Sequence, residues 1–153
     1  MEEGIIKNAE LAERISEVFS TQQKDIRTYS PLTLAFLGDC VFDLVIRTVL
    51  VEQGNRSVNH LHRDKSALVR AGAQAALAEA VLPLLSEEEE AVYKRGRNAK
   101  SVTMPRNAEA ADYRKATGLE ALVGYLYLTG NTERILELIK EGLRSIEQTE
   151  GEQ

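Results

Sequence analysis

Two carboxylates stand where apolar side chains would be expected: Asp39 in LAFLGDCVFDLVIR, residues 34–47, and Glu120 in LEALVGYLYL, residues 119–128. Phe36, Leu37, Val41, Leu44 and Val45 read as core, which leaves Asp39 in their midst. An ionised carboxylate buried without partners costs on the order of several kcal/mol, so it is expected to be hydrogen-bonded, metal-bound or turned to a cleft. Small residues accompany both acids: Gly38 adjoins Asp39, and Gly124 follows Glu120 by four positions, about 40° around a helix. Small residues let helices approach closely, so the two acids can converge where their helices cross. Such a pair suits Mg²⁺, which takes oxygen ligands, keeps several waters and often uses only one or two carboxylates plus a substrate phosphate. The ion would lower the pKa of bound water and neutralise charge on a phosphodiester under attack. Spacing alone leaves a second reading open, in which backbone or arginine partners satisfy both acids inside the core.

Other chemistries find less support. His60 and His62 flank Leu61, and their i, i+2 spacing does not share a helical face, so they read as surface or RNA-proximal residues rather than zinc ligands. No nucleophile constellation and no glycine-rich phosphate loop is evident; Gly96 stands alone. The single Cys40, in an apolar helix, is expected to be a small buried packing residue.

The elements that must position the acids read as helices throughout. Leu11, Ile15, Val18 and Phe19 recur at helical spacing over residues 8–19. Ser30 can cap, and Pro31 open, a long helix over 31–52 that Gly54 ends. Ser57 or Asn59 can start an alanine-rich stretch through residue 82, one broken helix or two, with Gly72 marking a bend or close contact. After Pro83, Ser86 and Glu89 form a capping box. Glu87–Glu90 then fall in the first turn of that helix and Lys94–Arg97 toward its far end, an order the helix dipole favours. SVTMPRNAEAADYR reads as a loop entering a helix that Gly130 stops; Asn131 can cap the last helix, TERILELIKEGLRSIEQ. No alternating strand pattern or internal repeat competes, so the expected fold class is all-α.

The 153 residues fit one domain, and 43% hydrophobic with 28% charged residues marks it as globular. No apolar run approaches the ~20 residues of a membrane span, and MEEGIIKNAELAER lacks the order of a secretory signal, so no membrane partner and a cytoplasmic location are expected. The net charge of −5 argues against nucleic-acid binding by the surface as a whole. Residues 94–106, KRGRNAKSVTMPR, are the exception: Lys94, Arg95, Arg97, Lys100 and Arg106 with no acid among them. In isolation such a run is a solvated helix end followed by a loop.

LAFLGDCVFDLVIR resembles the signature helix of ribonuclease III endonuclease domains, where an acid follows a Phe-Leu-Gly triplet, and LEALVGYLYL resembles that family's second acidic helix. EEEEAVYKRGRNAKS is similar to the corresponding segment of the Mini-ribonuclease III branch, a catalytic domain without an attached double-stranded-RNA-binding domain. The resemblance runs from about residue 30 to about residue 140. It implies a ribonuclease III-like helical domain over residues 30–148, preceded by an N-terminal helical extension over 1–29 packed on it and followed by a frayed polar tail at 149–153.

It further implies an Mg²⁺-dependent endoribonuclease, with Mn²⁺ as a substitute, acting as a homodimer on double-stranded RNA and leaving a 5′-phosphate and a 3′-hydroxyl. The substrate implied is the stem of precursor 23S ribosomal RNA, with a ribosomal protein on that substrate as a further partner. Asp39 and Glu120 match the catalytic, metal-holding acids; Asp43 is a supporting acid; Lys94, Arg95, Arg97, Asn98 and Lys100 are the candidates for RNA contact. Two departures stand out: Ala35 and Thr117 occupy positions where longer ribonuclease III enzymes carry Glu and Asp. Those departures are also what an inactive, RNA-binding or protein-interaction dimer would show, and they leave the number of metals per site open.

Overall fold

Three serines begin helices in the computed structural model, which describes residues 10–100 and 109–151. Ser30 Oγ accepts the Thr33 N–H at 3.1 Å just ahead of Pro31, and Ser57 Oγ accepts that of His60 at 3.2 Å. Ser86 and Glu89 satisfy one another's backbone N–H groups in the expected capping box. The elements in order are α1 (Leu11–Val18), α2 (Pro31–Gln53), α3 (Val58–Val69), α4 (Ala71–Val81), α5 (Glu87–Arg97), α6 (Glu109–Leu128) and α7 (Thr132–Gly151). Short 3₁₀ turns lie at Ile26–Thr28 and Leu82–Leu84, and no strand occurs among the described residues, so the fold is all-α. No single helix among them is long and apolar enough to cross a membrane.

Boundaries differ from the sequence reading in two places. The alanine-rich stretch is two helices, but the break falls at Arg70, whose extended backbone (ψ 156°) turns α4 away, rather than at Gly72. The last helix continues three residues past Gln148, to Gly151. The expected loop at 101–108, with Arg106, and the chain before residue 10 lie outside the described residues.

Helix α6 is the axis of the molecule. Leu119, Ala121, Leu122, Val123 and Leu126 are all buried, because α2, α4, α5 and α7 pack around it. Facing it, α2 contributes Leu34, Gly38, Phe42, Ile46 and Leu50 at steps of four, one continuous inward stripe. Leu77, Ala78 and Val81 of α4 and Ile135, Leu138 and Ile139 of α7 close the core. Helix α5 is tied to α7 by the buried Glu89, which receives two hydrogen bonds from Arg134 at 2.8 and 2.9 Å; Arg134 also donates to the Leu84 carbonyl at 2.8 Å.

The core reading of α2 needs correction. Phe36 is 82% and Leu44 56% exposed, Leu37, Val41 and Val45 are half-buried, and Cys40 is exposed. The helix is apolar nearly all round, so composition could not tell its inner face from its outer one; the glycine contact at Gly38 does. Leu32, Phe36, Cys40 and Leu44 therefore form an outward stripe at steps of four. On α1 the expected apolar residues Leu11, Ile15, Val18 and Phe19 are exposed as well, while Ala12 is buried and Glu10 accepts a hydrogen bond from the Thr132 hydroxyl.

Candidate active site at a helix crossing

Helices α2 and α6 touch backbone to backbone. A Cβ at Gly38 would overlap the Glu120 carbonyl, and one at Gly124 would overlap the Leu34 carbonyl, so only glycine permits this approach. The crossing puts Asp39, the residue after Gly38, beside Glu120. The convergence read from the small residues is thus observed, although not inside the core. Asp39 is exposed, about 60° around α2 from Phe36 at ~100° per residue, on the flank between the inward and outward stripes. Glu120 is half-buried. Burial, and then the negative charge of Asp39, push its carboxyl up to about 8; the nearby Gln74 amide exerts an opposing pull.

Asp43 stands one turn beyond Asp39 and is already balanced by two cations: Arg47 Nε donates to Oδ2 at 2.7 Å and Lys65 Nζ lies 3.9 Å from Oδ1. Neither of the departures noted in sequence supplies an oxygen to the pair. Ala35 is buried against Leu34 and Ala121, and the Thr117 hydroxyl is spent on the Tyr113 carbonyl. No cluster of three or more metal-ligating side chains occurs among the described residues. What the crossing offers is one exposed and one half-buried carboxylate, hard oxygen donors with a shared charge that water only partly screens. That donor set fits a single hard divalent cation that keeps much of its own water, and fits poorly a metal preferring nitrogen or sulfur.

The basic island sits next to this pair along α6. Tyr93, buried, lies against Gly118, and Gly96 packs within contact distance of Thr117, Gly118 and Ala121, so the end of α5 crosses α6 within one turn of Glu120. Lys94 is paired with Glu90 at 2.9 Å, and Arg97 lies over the Tyr93 ring, 5.9 Å from its centre, with its Nε donating to Asn98 Oδ1. Arg95, Asn98 and Lys100 are exposed. His60 and His62 are exposed too, His60 lying 3.6 Å from Asp64.

Sequence reasoning passed over Gln74. It is 2% exposed, and its Nε2 donates to the Val69 carbonyl at 2.9 Å. A signal was present: Gln74 falls in step with Leu77, Ala78 and Val81, on the face of an alanine-rich helix that should be wholly apolar.

Residues 32–131 match the family described as the Ribonuclease III domain. A protein named Mini-ribonuclease 3 from Thermoanaerobacter sp. is 43% identical over 95% of this chain and 96% of its own length. Another of that name from Symbiobacterium thermophilum is 47% identical over 78% of this chain and 92% of its own. A crystal structure of a Fusobacterium nucleatum protein, 36% identical, superposes with a TM-score of 0.72 over 80% of this chain and 98% of that one.

Proposed function

We propose, from the premise that the chain belongs to the ribonuclease III family and is an endoribonuclease, that it cuts double-stranded RNA at the Asp39–Glu120 crossing with Mg²⁺ as cofactor. The carrying observation is the arrangement along α6, where the acid pair and the cation-rich end of α5 meet the helix within one turn of each other. Carboxylates alone would repel a phosphodiester, and cations alone would only bind it. Together they suit hydrolysis of a polyanion.

In this reading Asp39 and Glu120 hold the ion, with Mn²⁺ able to replace it, and Asp43 keeps Arg47 and Lys65 in register behind them. When bound, the ion supplies charge neutralisation at the phosphodiester and makes a coordinated water more acidic. The rest is done by the chain. Exposed Asp39 faces arriving RNA, while half-buried Glu120 presents its carboxyl oxygens where solvent access is limited. Lys94, Arg95, Arg97, Asn98 and Lys100 grip phosphates and 2′-hydroxyls, the groups that A-form RNA presents across its wide minor groove. Hydrolysis by water would form a bond from its oxygen to phosphorus as the bond to the 3′ oxygen breaks; the water's proton passes to solvent and the leaving oxygen takes one up, leaving a 5′-phosphate and a 3′-hydroxyl.

The outward stripe Leu32, Phe36, Cys40 and Leu44 is proposed to pack on a second copy, giving a cytoplasmic homodimer with one site per strand of the duplex. The substrate proposed is the stem joining the two ends of precursor 23S ribosomal RNA, with a ribosomal protein on that RNA as a further partner. The test incubates the protein with a long RNA duplex, with that stem and with single-stranded RNA, each with Mg²⁺ or with EDTA. Mg²⁺-dependent cutting of the duplexes, strongest on the stem, is expected. Binding without cutting would instead favour a noncatalytic RNA-binding dimer, and equal cutting of all duplexes would remove the stem as the preferred substrate.

The basic island carries its own expectation. Changing Arg95 and Arg97 together to Gln should weaken duplex binding and reduce the slope of log affinity against log salt by about one to two, since each phosphate contact contributes roughly 0.7–0.9. Changing Lys94, already paired with Glu90, should do less. Filter binding across a salt series measures both, and an unchanged slope in the double variant would remove these residues from the interface.

A further inference from the structure

Gln74 has no explanation in packing. In a helix of sequence AGAQAALAEAV a leucine would fill its place, yet the chain buries a carboxamide whose Oε1 has no hydrogen-bond partner. A buried polar atom left so is a cost to the fold. Its Nε2 donates to the Val69 carbonyl at 2.9 Å, and the same amide sits close enough to the Glu120 carboxyl, on the helix that α4 packs against, to favour its charged form. Val69 ends α3, and its carbonyl is open to a side chain because the extended backbone at Arg70 interrupts the helix there. The break between α3 and α4 and the amide that crosses it thus form one device, set beside the acid.

We propose that Gln74 is a positioning residue for the reaction: anchored on the Val69 carbonyl, it holds the Glu120 carboxylate in the orientation that serves Asp39 and the cation. This rests on the reading of Glu120 as a site acid. A residue that only satisfied the end of α3 would not need to face Glu120, and one that only filled space would not need to be polar. Outer hydrogen-bond partners of metal-holding side chains change metal affinity by about 10–100-fold when removed.

The full-length Gln74→Met variant, of similar volume and without the amide, is compared with wild type by Mn²⁺ titration followed by electron paramagnetic resonance, by thermal melting, and by cleavage at increasing Mg²⁺. The expected result is Mn²⁺ binding about ten-fold weaker, a matching rise in the Mg²⁺ needed for half-maximal cleavage, and a melting temperature not lower than wild type. Unchanged Mn²⁺ affinity overturns the assignment, whatever happens to melting. Should the variant fold poorly, the decision passes to pairing it with Glu120→Gln. A double variant that binds Mn²⁺ no more weakly than Glu120→Gln alone supports action through Glu120, and an additive further loss overturns it. Wild type that binds no Mn²⁺ removes the metal-site reading and this assignment together. Wild type that binds beside an unchanged variant removes the assignment alone.

Discussion

Replacing Glu120 with Gln is expected to abolish cleavage and, in EDTA, to make the protein more stable. The loss of activity follows from removing one of the two oxygen donors at the crossing and should exceed about a hundredfold. The gain in stability follows from the site's cost to the fold. Burial and Asp39 raise the folded carboxyl to about 8 from 4.5, so the unfolded chain gives up this proton more readily than the folded one. The favourable contribution is complete below the unfolded value, near 4.5, and is lost as pH rises through about 8. Gln cannot ionise, so the variant's advantage should be absent at pH 4, grow through neutrality and level off above pH 8. With partial solvent access a gain of about 1–3 kcal/mol is expected there. Melting in EDTA at pH 4, 6 and 9 measures it, and a difference that ignores pH would contradict the placement of Glu120. Adding Mg²⁺ should raise the melting point of wild type much more than that of the variant, since the stabilisation scales with how tightly the folded protein binds the ion.

Gly38→Ala should have the largest effect on folding of any single methyl addition at the site. The new Cβ would lie 2.7 Å from both the Glu120 carbonyl carbon and the Gly124 nitrogen, and would overlap the carbonyl oxygen. These are backbone atoms of the axial helix, with no flexible side chain to give way, so α2 and α6 must separate over the core that Phe42 and Ile46 fill. Such overpacking is expected to cost at least about 3 kcal/mol, a fall in melting temperature of roughly 6–12 °C for a chain of this size. The internal comparison is Gly54→Ala, where no atom lies within 4 Å of the added Cβ and the extended backbone suits any residue. It should melt like wild type. Equal effects of the two changes would mean that the crossing is not tightly packed.

The helices were legible because their ends carry local chemistry: serines before the first turns, a proline behind Ser30, the reciprocal pair of Ser86 and Glu89. The meeting of the two acids was legible as well, since Gly38 and Gly124 mark a close approach and the acids lie next to them. Which face of α2 points inward was not. Phe36, Cys40 and Leu44 are as apolar as Phe42 and Ile46, and periodicity cannot choose between two apolar faces; a long-range backbone contact does. Gln74 was missed for a related reason, because its two partners, Val69 and Glu120, come from a helix break and from a segment 46 residues away, and neither is visible in local sequence.

Helix α5 is pinned at both ends, by Arg134 on Glu89 and by the seat of Gly96 on α6. Arg97 follows Glu89 by eight positions along the helix, a rod of about 12 Å, and sliding it by one residue would shift its tip by about 1.5 Å. Neither mooring tolerates that. The chain therefore behaves as a fixed caliper, with the gap between the cation-rich end of α5 and the acid pair set by the fold. Under the proposed function, adjustment must come from the duplex, so stems that flex or carry a mismatch are expected to meet this gauge differently from stiff ones, even where no base is touched.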